Sequence, residues 1–451
     1  FIRYQKKMQG ALVQHQQLWK DSTEAKYTAS YALSRGKYNR YSLQTIEGNQ
    51  GPYKLIGLKG EVFIIVLAGT ERVYWDGVLL ERGLDRDYAI DYNLGEIIFT
   101  AKRLITKDSR IVVEFDYTDQ NYTRSLYTLG TDINSKRWKT GFHFYSEQDH
   151  KYTATLFTLD STIVRQLEMA GDNASNTGIS SIRSFDEGFT IDKILYKKID
   201  TLGFNILKVA TAKDSVLYTA NFIDVGYKKG NYIRSNDAQN GRVYEWVPPD
   251  PVTGQPNGNY EPISYLSTPT QTQQWAMRGE YDFYKWGVVS AEFSMTNRDK
   301  NTFSGLNDED NRGSGGYLFY NNLIKIKKST LKIGYRGEYI NQYFDPINPY
   351  RAIEFNRNWN FNKQTKSQEF NQTFSSILQI NPNSQVQYSL SNLYLPNLYK
   401  GTENGFGWDI SWKKLQFFSK NSIVNTSTDT SSSQFIRPNI SLSIALDTSR
   451  V

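Results

Sequence analysis

Apolar and polar side chains alternate along much of the second half of the chain. Residues 274–283 show the pattern clearly, with an apolar set and a polar set interleaved: Trp275, Met277, Gly279, Tyr281 and Phe283 against Gln274, Arg278, Glu280 and Asp282. Successive side chains of a β-strand point to opposite faces, so this period of two predicts a strand with one apolar and one polar face. The same pattern recurs at residues 289–296, 331–339, 386–391, 406–412 and 440–446.

The connections between these predicted strands differ sharply in length. Tight turns are predicted at residues 284–287, 327–329, 381–384 and 413–414, and longer polar loops at residues 297–316, 341–366, 395–404 and 425–437. Bacterial outer-membrane barrels have short periplasmic turns and long extracellular loops. A soluble β-sandwich could show similar alternation in any one strand, but Trp and Tyr on several apolar faces, with Arg, Lys or Glu opposite, favour a membrane.

The fold class predicted is all-β. It is a transmembrane antiparallel β-barrel of about 14 or more strands with extracellular β-rich inserted lobes, since a closed barrel is the only sheet that satisfies all its backbone hydrogen bonds in lipid. An upstream hairpin is predicted at residues 127–144 with a turn at 134–137, and residues 27–33 pair with a strand in 1–16. The predicted domains are barrel strands (1–47), an extracellular β-module (48–122), a barrel hairpin (123–148), a second extracellular lobe (149–273) and barrel strands with long extracellular loops (274–451).

Local signals define the two lobes. In the module, Asp76-Gly77 predicts a type I′ hairpin turn between residues 71–75 and 78–80, and a second turn is predicted at 93–95. In the second lobe a helix is predicted near residues 161–170, ended by Gly171.

Composition agrees with a strand-built membrane protein. The 451 residues are 39% hydrophobic with a mean hydropathy of -0.58, and no stretch approaches the roughly 18 to 20 apolar residues of a membrane helix. Aromatic residues reach 14%, as expected for interfacial girdles. Cysteine is absent, which excludes disulfides and thiolate sites. The net charge of +7 invites a nucleic-acid role, but basic residues are dispersed among acids without a recognised motif, so no nucleic-acid partner is predicted.

Several short segments resemble those of a known group of proteins. They are residues 51–55 (GPYKL), 68–74 (AGTERVY), 91–96 (DYNLGE), 108–115 (DSRIVVEF), 241–247 (GRVYEWV) and 297–304 (NRDKNTFS). They resemble segments of large, mostly uncharacterised outer-membrane β-barrel proteins of Bacteroidota, and the module motifs are similar to those of the gliding-motility and type 9 secretion translocon barrel. The resemblance covers residues 1–306 and carries no catalytic motif. It implies an outer-membrane barrel with surface lobes inside a larger assembly or export complex.

Candidate chemistry is sparse. The acidic turn at residues 307–311 is the best metal candidate, with Asp308 and Asp310 as calcium ligands. The spacing of a calcium-binding EF-hand is missing because Arg312 stands where a third ligand should be, so a solvated loop is preferred and no metal site or cofactor is assigned. Near His150, Glu147 and Asp149 share a strand face while the imidazole points away, which argues against a metal cluster there. His143 is expected to face the lumen.

Three functions remain open from the sequence. The first is a non-enzymatic structural or scaffolding subunit of an outer-membrane protein assembly or export complex, whose lobes dock other outer-membrane proteins and surface lipoproteins in contact with lipid and lipopolysaccharide. The second is a porin-like transport channel for solutes or a secreted substrate, lined by inner-face charges such as Arg278, Glu280, Lys332, Arg336 and Glu338. The third is a surface hydrolase using a pair such as Asp85 and Asp87, disfavoured by the lack of a catalytic motif. The predicted location is the cell outer membrane, with the lobes on the extracellular face.

The chain ends also carry an expectation. No signal-peptide pattern precedes Phe1, the C-terminus lacks an aromatic residue, and about thirteen strands can be counted where bacterial single-chain barrels usually have an even number. We therefore expect the natural chain to be longer, or the strand count from sequence to be in error.

Overall fold

A computed structural model describes residues 8–19, 22–34, 36–58, 64–102, 104–118, 122–154, 159–190, 193–201, 203–235, 243–361, 367–412 and 415–444. Predicted features at residues 1–7, 241–242, 413–414 and 445–451 lie outside these ranges. The chain divides into two compact units: residues 1–158, 269–302 and 307–451 form the first, and residues 159–268 and 303–306 form the second. Within the described ranges, no helix is long and apolar enough to cross a membrane.

The chain opens with two long strands and then a small β-module. The strands are β1 (Met8–Leu18) and β2 (Glu24–Ser34), whose predicted pairing is confirmed. The module contains β3 (Lys37–Ser42), β4 (Tyr53–Lys54), β5 (Ile65–Val66), β6 (Arg72–Trp75), β7 (Val78–Leu79), β8 (Tyr88–Asp91), β9 (Glu96–Phe99) and β10 (Ile111–Thr118).

The module has a hydrophobic core of its own. Strands β3, β5, β6 and β10 form one sheet with β7, and β4, β8 and β9 form another. Their inward residues, including Leu55, Val73, Ile97, Val113 and Tyr117, make one buried cluster. The predicted hairpin is confirmed: Asp76 (φ 48°) and Gly77 (φ 84°) connect β6 to β7 with the two positive φ values that a type I′ turn requires.

A second long hairpin, β11 (Tyr122–Asn134) and β12 (Trp138–Ala154), follows the module and confirms the predicted turn. The second unit then begins with α1 (Ser161–Ala170), at the predicted position. Asp160 caps this helix by accepting a hydrogen bond from the backbone N–H of Ile163 at 2.8 Å, and Gly171 (φ 60°) follows its last residue.

The rest of the second unit consists of short strands around an aromatic core. They are β13 (Gly178–Ser180), β14 (Arg183–Phe185), β15 (Tyr196–Thr201), β16 (Phe204–Val209), β17 (Leu217–Thr219), β18 (Ile223–Asp224), β19 (Tyr232–Arg234), β20 (Tyr244–Trp246), β21 (Tyr260–Glu261) and β22 (Ile263–Tyr265). Tyr196, Leu207, Tyr232 and Tyr244 form the main cluster, with Phe222 stacked on Tyr244 at 4.5 Å between ring centroids.

The last part of the chain is a run of long strands. They are β23 (Gln271–Asp282), β24 (Val288–Asp299), β25 (Arg312–Ile326), β26 (Ser329–Ile340), β27 (Glu369–Asn381), β28 (Ser384–Leu395), β29 (Tyr399–Trp412), β30 (Leu415–Ser427), β31 (Ser432–Arg437) and β32 (Ile440–Ile444). A short helix, α2 (Phe355–Asn358), lies in the long connection before β27.

These long strands form one antiparallel sheet of fourteen strands, in the order β1, β2, β11, β12, then β23 to β31. The last two strands pair with successive parts of β30 and are separated by Pro438 and Asn439. The expectation of an all-β fold built on a large antiparallel sheet is therefore confirmed. Among the described residues, no strand pairing joins β1 to β31 or β32.

The connections correct part of the turn prediction. The tight turns after β23, β25 and β27 are confirmed, and residues 341–368 form a long connection. The loops predicted at 395–404 and 425–437 are wrong, because β28 and β29 are joined by only residues 396–398, and β30 and β31 by residues 428–431. The loop predicted at 297–316 shrinks to 300–311. Asn, Thr and Ser on both faces remove the apolar–polar alternation at these strand ends, so the sequence does not reveal them. The backbone hydrogen bonds between strands nevertheless continue to the ends, because they do not depend on the side chains.

Candidate functional site

The two faces of the large sheet differ in chemistry. One cross-strand row on the apolar face, which we call the outward face, runs Phe142, Met277, Phe293, Gly316, Tyr339, Phe370 and Tyr394, each paired with the next. Met277 is 60% exposed, Phe293 51% and Phe142 41%. A parallel row joins Tyr281, Val289, Tyr320, Tyr335, Phe374 and Leu390. An exposed apolar surface of this extent is typical of an interaction with lipid or protein.

The opposite face carries ion pairs. Arg278 donates to Asp132 at 2.6 Å, and the same Asp132 oxygen lies 3.0 Å from the imidazole of His143. Lys139 pairs with Glu280 at 2.6 Å. His143 and Arg278 therefore share the polar face, as their strand positions predict.

The connection 341–361 lies across this polar face. Its backbone N–H groups at Asp345 and Ile347 donate to the side chains of Thr296 (3.2 Å) and Gln274 (3.1 Å), on β24 and β23. Gly313 on β25 admits the backbone of the connection, because a Cβ there would lie 2.2 Å from the amide nitrogen of Phe344. These contacts fix the first half of the connection against three adjacent strands.

Arg351 holds the middle of the connection. Its guanidinium pairs with Glu338 on β26 and lies 3.5 Å from the carboxylate of Glu369 on β27. It also lies over the rings of Tyr350 and Phe355, at 4.7 and 4.3 Å from their centroids. Burial raises the pKa of Tyr350, which therefore stays a neutral phenol beside the cation.

An apolar cluster holds the second half. Trp359 is only 5% exposed and packs on Leu393, Leu395, Tyr399 and Val424, which face inward from β28, β29 and β30. The Tyr399 hydroxyl donates to the backbone carbonyl of Trp359. Arg437 on β31 donates to the carbonyl of Asn358 at 2.7 Å. Residues 341–361 thus contact every strand from β23 to β31; we call them the inner loop.

The module contacts the same end of the large sheet. Arg110 in the module lies 3.3 Å from Glu354 of the inner loop and 3.0 Å from Asp76 of its own hairpin. A cavity of about 400 Å³ is lined by Lys37, Tyr38, Arg40 and Tyr117 of the module and by rim residues including Arg124, Glu147, Arg298 and Asp345.

Three of the arginines that line this cavity are ion-paired. Arg40 donates to Glu114 through Nε at 2.8 Å, and Arg298 pairs with Asp345. Arg124 donates to Asp149 at 2.7 Å and lies 3.5 Å from Glu147. The two carboxylates do share a face, as the strand geometry predicts, and Arg124 lies against both. Burial raises the pKa of Tyr38, so this phenol is neutral.

The calcium candidates lie in an exposed 3₁₀ turn, Asp308–Asp310. Asp308 accepts a hydrogen bond from the side-chain amide of Asn311 at 2.9 Å, and Asp310 lies 3.9 Å from the ammonium of Lys300. Asp87, of the carboxylate pair in the module, accepts from the backbone N–H of Glu81 at 2.8 Å, which stabilises a turn. Asp308, Asp310 and Asp87 thus each contact a residue close by in the sequence.

The residues that define the site have almost no signature in the sequence. Arg351 and Trp359 belong to a stretch that the sequence marks only as long and polar, and Glu369 follows it. The one available signal was a Trp with Phe355 and Phe361 in a predicted loop, since large aromatic side chains seldom remain solvated.

Comparison with known families gives one match. Residues 38–119, which include almost all of the module, match a domain of unknown function (DUF8818). No curated protein and no solved structure is significantly similar to the chain.

Proposed function

We propose that the chain is the membrane anchor of a non-enzymatic scaffold: an outer-membrane β-barrel, closed from its long sheet, that docks other outer-membrane proteins and surface lipoproteins through its lobes. The observation that carries the proposal is the outward apolar row across seven adjacent strands, opposite a face of ion pairs. In lipid a sheet must close to satisfy its edge strands. The resemblance to outer-membrane barrels of Bacteroidota supports the same location.

The inner loop favours an anchor over an open channel. It crosses the polar face from β23 to β31 and is fixed by Arg351 and by the Trp359 cluster. In a closed barrel this loop would fill part of the lumen, as the plugs and inward loops of other barrels do. The lobes then become the part of the molecule free to act, and the connections to both leave the sheet at the end opposite the short turns.

The module also offers surface for a partner. It has its own core, yet Val78, Leu79, Leu84 and Leu104 are exposed, Leu84 at 86%. Isolated exposed apolar residues are common on protein surfaces, and a partner could bury these because the centre of an interface is more apolar than the rest of the surface.

Co-purification tests the proposal. The chain is isolated from its native membrane in mild detergent, and accompanying proteins are identified by mass spectrometry. We expect stoichiometric outer-membrane or lipoprotein partners, and their loss in the double variant Leu79→Glu and Leu84→Glu. Val252→Glu in the second unit, where Val252 is 91% exposed, is the matched control. A solitary monomer isolated from the unaltered chain would contradict the scaffold.

Planar-bilayer recording distinguishes the scaffold from the alternative function, a transport channel. The inner loop predicts little or no conductance for the unaltered chain. Large, steady single-channel currents would instead support a transport channel lined by the polar face.

A further inference from the structure

A polar row crosses the outward face between β27 and β31. Gln372, Asn392, Thr402, Asn425 and Gln434 pair in sequence across five adjacent strands, β27 to β31. They lie on the outward face, because Phe370 and Phe374 flank Gln372 at a spacing of two residues on β27. We call these five residues the polar ladder.

Hydrogen bonds join two pairs within the polar ladder. Thr402 donates to the side-chain carbonyl of Asn392 at 2.9 Å, and Gln434 donates to that of Asn425 at 2.8 Å. Asn392 and Asn425 are both exposed. Gln372 is exposed and lies at one end of the ladder. A row of carboxamides and a hydroxyl exposed on one face of a sheet offers several hydrogen-bonding groups to a single polar ligand.

Two adjoining depressions follow the ladder. One, of about 380 Å³, is lined by Phe370, Gln372, Asn392 and Tyr394. The other, of about 580 Å³, is lined by Lys400, Thr402, Asn425, Thr426, Ser427, Ser432, Ser433 and Gln434. Volumes of this size are within the range of small-molecule binding sites.

The height of the ladder fits a headgroup. Thr402 lies ten residues before Trp412, where β29 reaches its short turn, and Asn425 lies ten residues after Leu415 on β30. A tilted transmembrane strand needs about 9–11 residues to cross the hydrocarbon. The ladder is therefore at the level where acyl chains give way to headgroups, at the end away from the short turns.

Charge and aromatic rings complete the site. Lys400 adjoins Thr402 on the same face, and its ammonium lies 5.7 Å from the centroid of Tyr394. Carboxamides and hydroxyls bind sugar hydroxyls, an ammonium binds phosphate, and flanking rings pack on sugar C–H groups or acyl chains. We propose that the polar ladder binds the headgroup of a phosphorylated glycolipid of the outer leaflet, an inference that rests on the proposed membrane location.

Native mass spectrometry in nanodiscs tests this inference. The intact chain is reconstituted in phosphatidylethanolamine alone or with a bis-phosphorylated lipid A type glycolipid. We expect retention of the glycolipid, and a loss of at least about tenfold in the double variant Gln372→Leu and Asn392→Leu, which removes several hydrogen bonds. Since leucine suits a lipid-facing position, the variant should fold. Gln17→Leu, at another exposed glutamine on β1, is the matched control.

Lys400→Ala tests whether the phosphate of the headgroup is recognised. It should weaken binding of the phosphorylated glycolipid and leave binding of its dephosphorylated form unchanged. Unchanged glycolipid retention in the double variant, preferential retention of phosphatidylethanolamine, or a second copy of the chain in place of lipid would each overturn the inference. Insertion into both bilayers without glycolipid retention would overturn this inference alone, whereas failure to insert into either would overturn the proposed function as well.

Discussion

At the scale of single residues, Arg351 is the side chain on which the inner loop depends most. Its side chain is 18% exposed and lies between two buried carboxylates on neighbouring strands, Glu338 and Glu369. Removing one partner of a buried ion pair costs roughly 3–5 kcal/mol, and the lower end applies here because Glu338 keeps its pair with Arg336.

Arg351→Met should therefore loosen the inner loop. We expect amide hydrogen exchange in residues 341–361 to rise roughly a hundredfold, which corresponds to about 3 kcal/mol. Arg357→Met is the matched control, because the Arg357 side chain is 57% exposed and is paired with Glu354 three residues earlier. Equal exchange in the two variants would show that Arg351 does not hold the loop.

A second residue-scale prediction concerns pH. The Lys197 ammonium and the backbone N–H of Thr211 lower the pKa of Asp214 from 3.8 to about 2. Because the folded pKa is depressed, the stabilisation is complete above about pH 4 and is lost as the pH falls through about 2. Protection factors for residues 211–214, which correct for the intrinsic pH dependence of amide exchange, should stay constant down to about pH 3 in the unaltered chain. Asp214→Asn should lower these protection factors already at pH 7 and remove their dependence on pH in the acid range.

At the scale of elements, the register of the strands and the path of the inner loop depend on close approaches. Gly313→Ala should displace the loop, since the added Cβ would lie 2.2 Å from a backbone nitrogen and neither strand nor loop backbone can yield cheaply. Gly279→Ala is the control, because nothing lies within 4 Å of its Cβ position on β23. We expect higher bilayer conductance and faster exchange in residues 341–361 for Gly313→Ala only. A Gly313→Ala variant with unchanged conductance and unchanged exchange in residues 341–361 would contradict the close packing.

At the scale of the whole molecule, we expect the outward face of the large sheet to contact lipid and the polar face to contact water. Phe293→Lys places a charge on the outward face of β24 and should hinder insertion into vesicles by about 2–4 kcal/mol if the residue lies near the bilayer midplane. Ser290→Lys, three residues away on the polar face and opposite Glu280, should insert normally. Folding yield into vesicles, followed by protection from protease, measures both. Equal insertion would argue that the outward row does not face lipid.

The sequence by itself determined the class of structure. Alternation of period two placed most of the long strands, and Asp76-Gly77 and residues 161–170 set a hairpin and a helix, because these signals act between neighbours along the chain. It misjudged the strand ends at 395–404 and 425–437, where amides and hydroxyls on both faces erase the alternation while cross-strand pairing persists.

Only the tertiary structure revealed the sites on the two faces of the large sheet, which are the inner loop and the polar ladder. In the sequence the inner loop is an ordinary polar connection. In the structure Arg351 pairs with Glu338 and Trp359 packs on Val424, because the sheet brings these residues together from distant positions in the chain. The polar ladder likewise exists only in register, since five scattered amides and hydroxyls become one row when five strands align. Local patterns specify elements through short-range sterics and periodicity, whereas these sites depend on pairing between strands, which no single stretch of sequence contains.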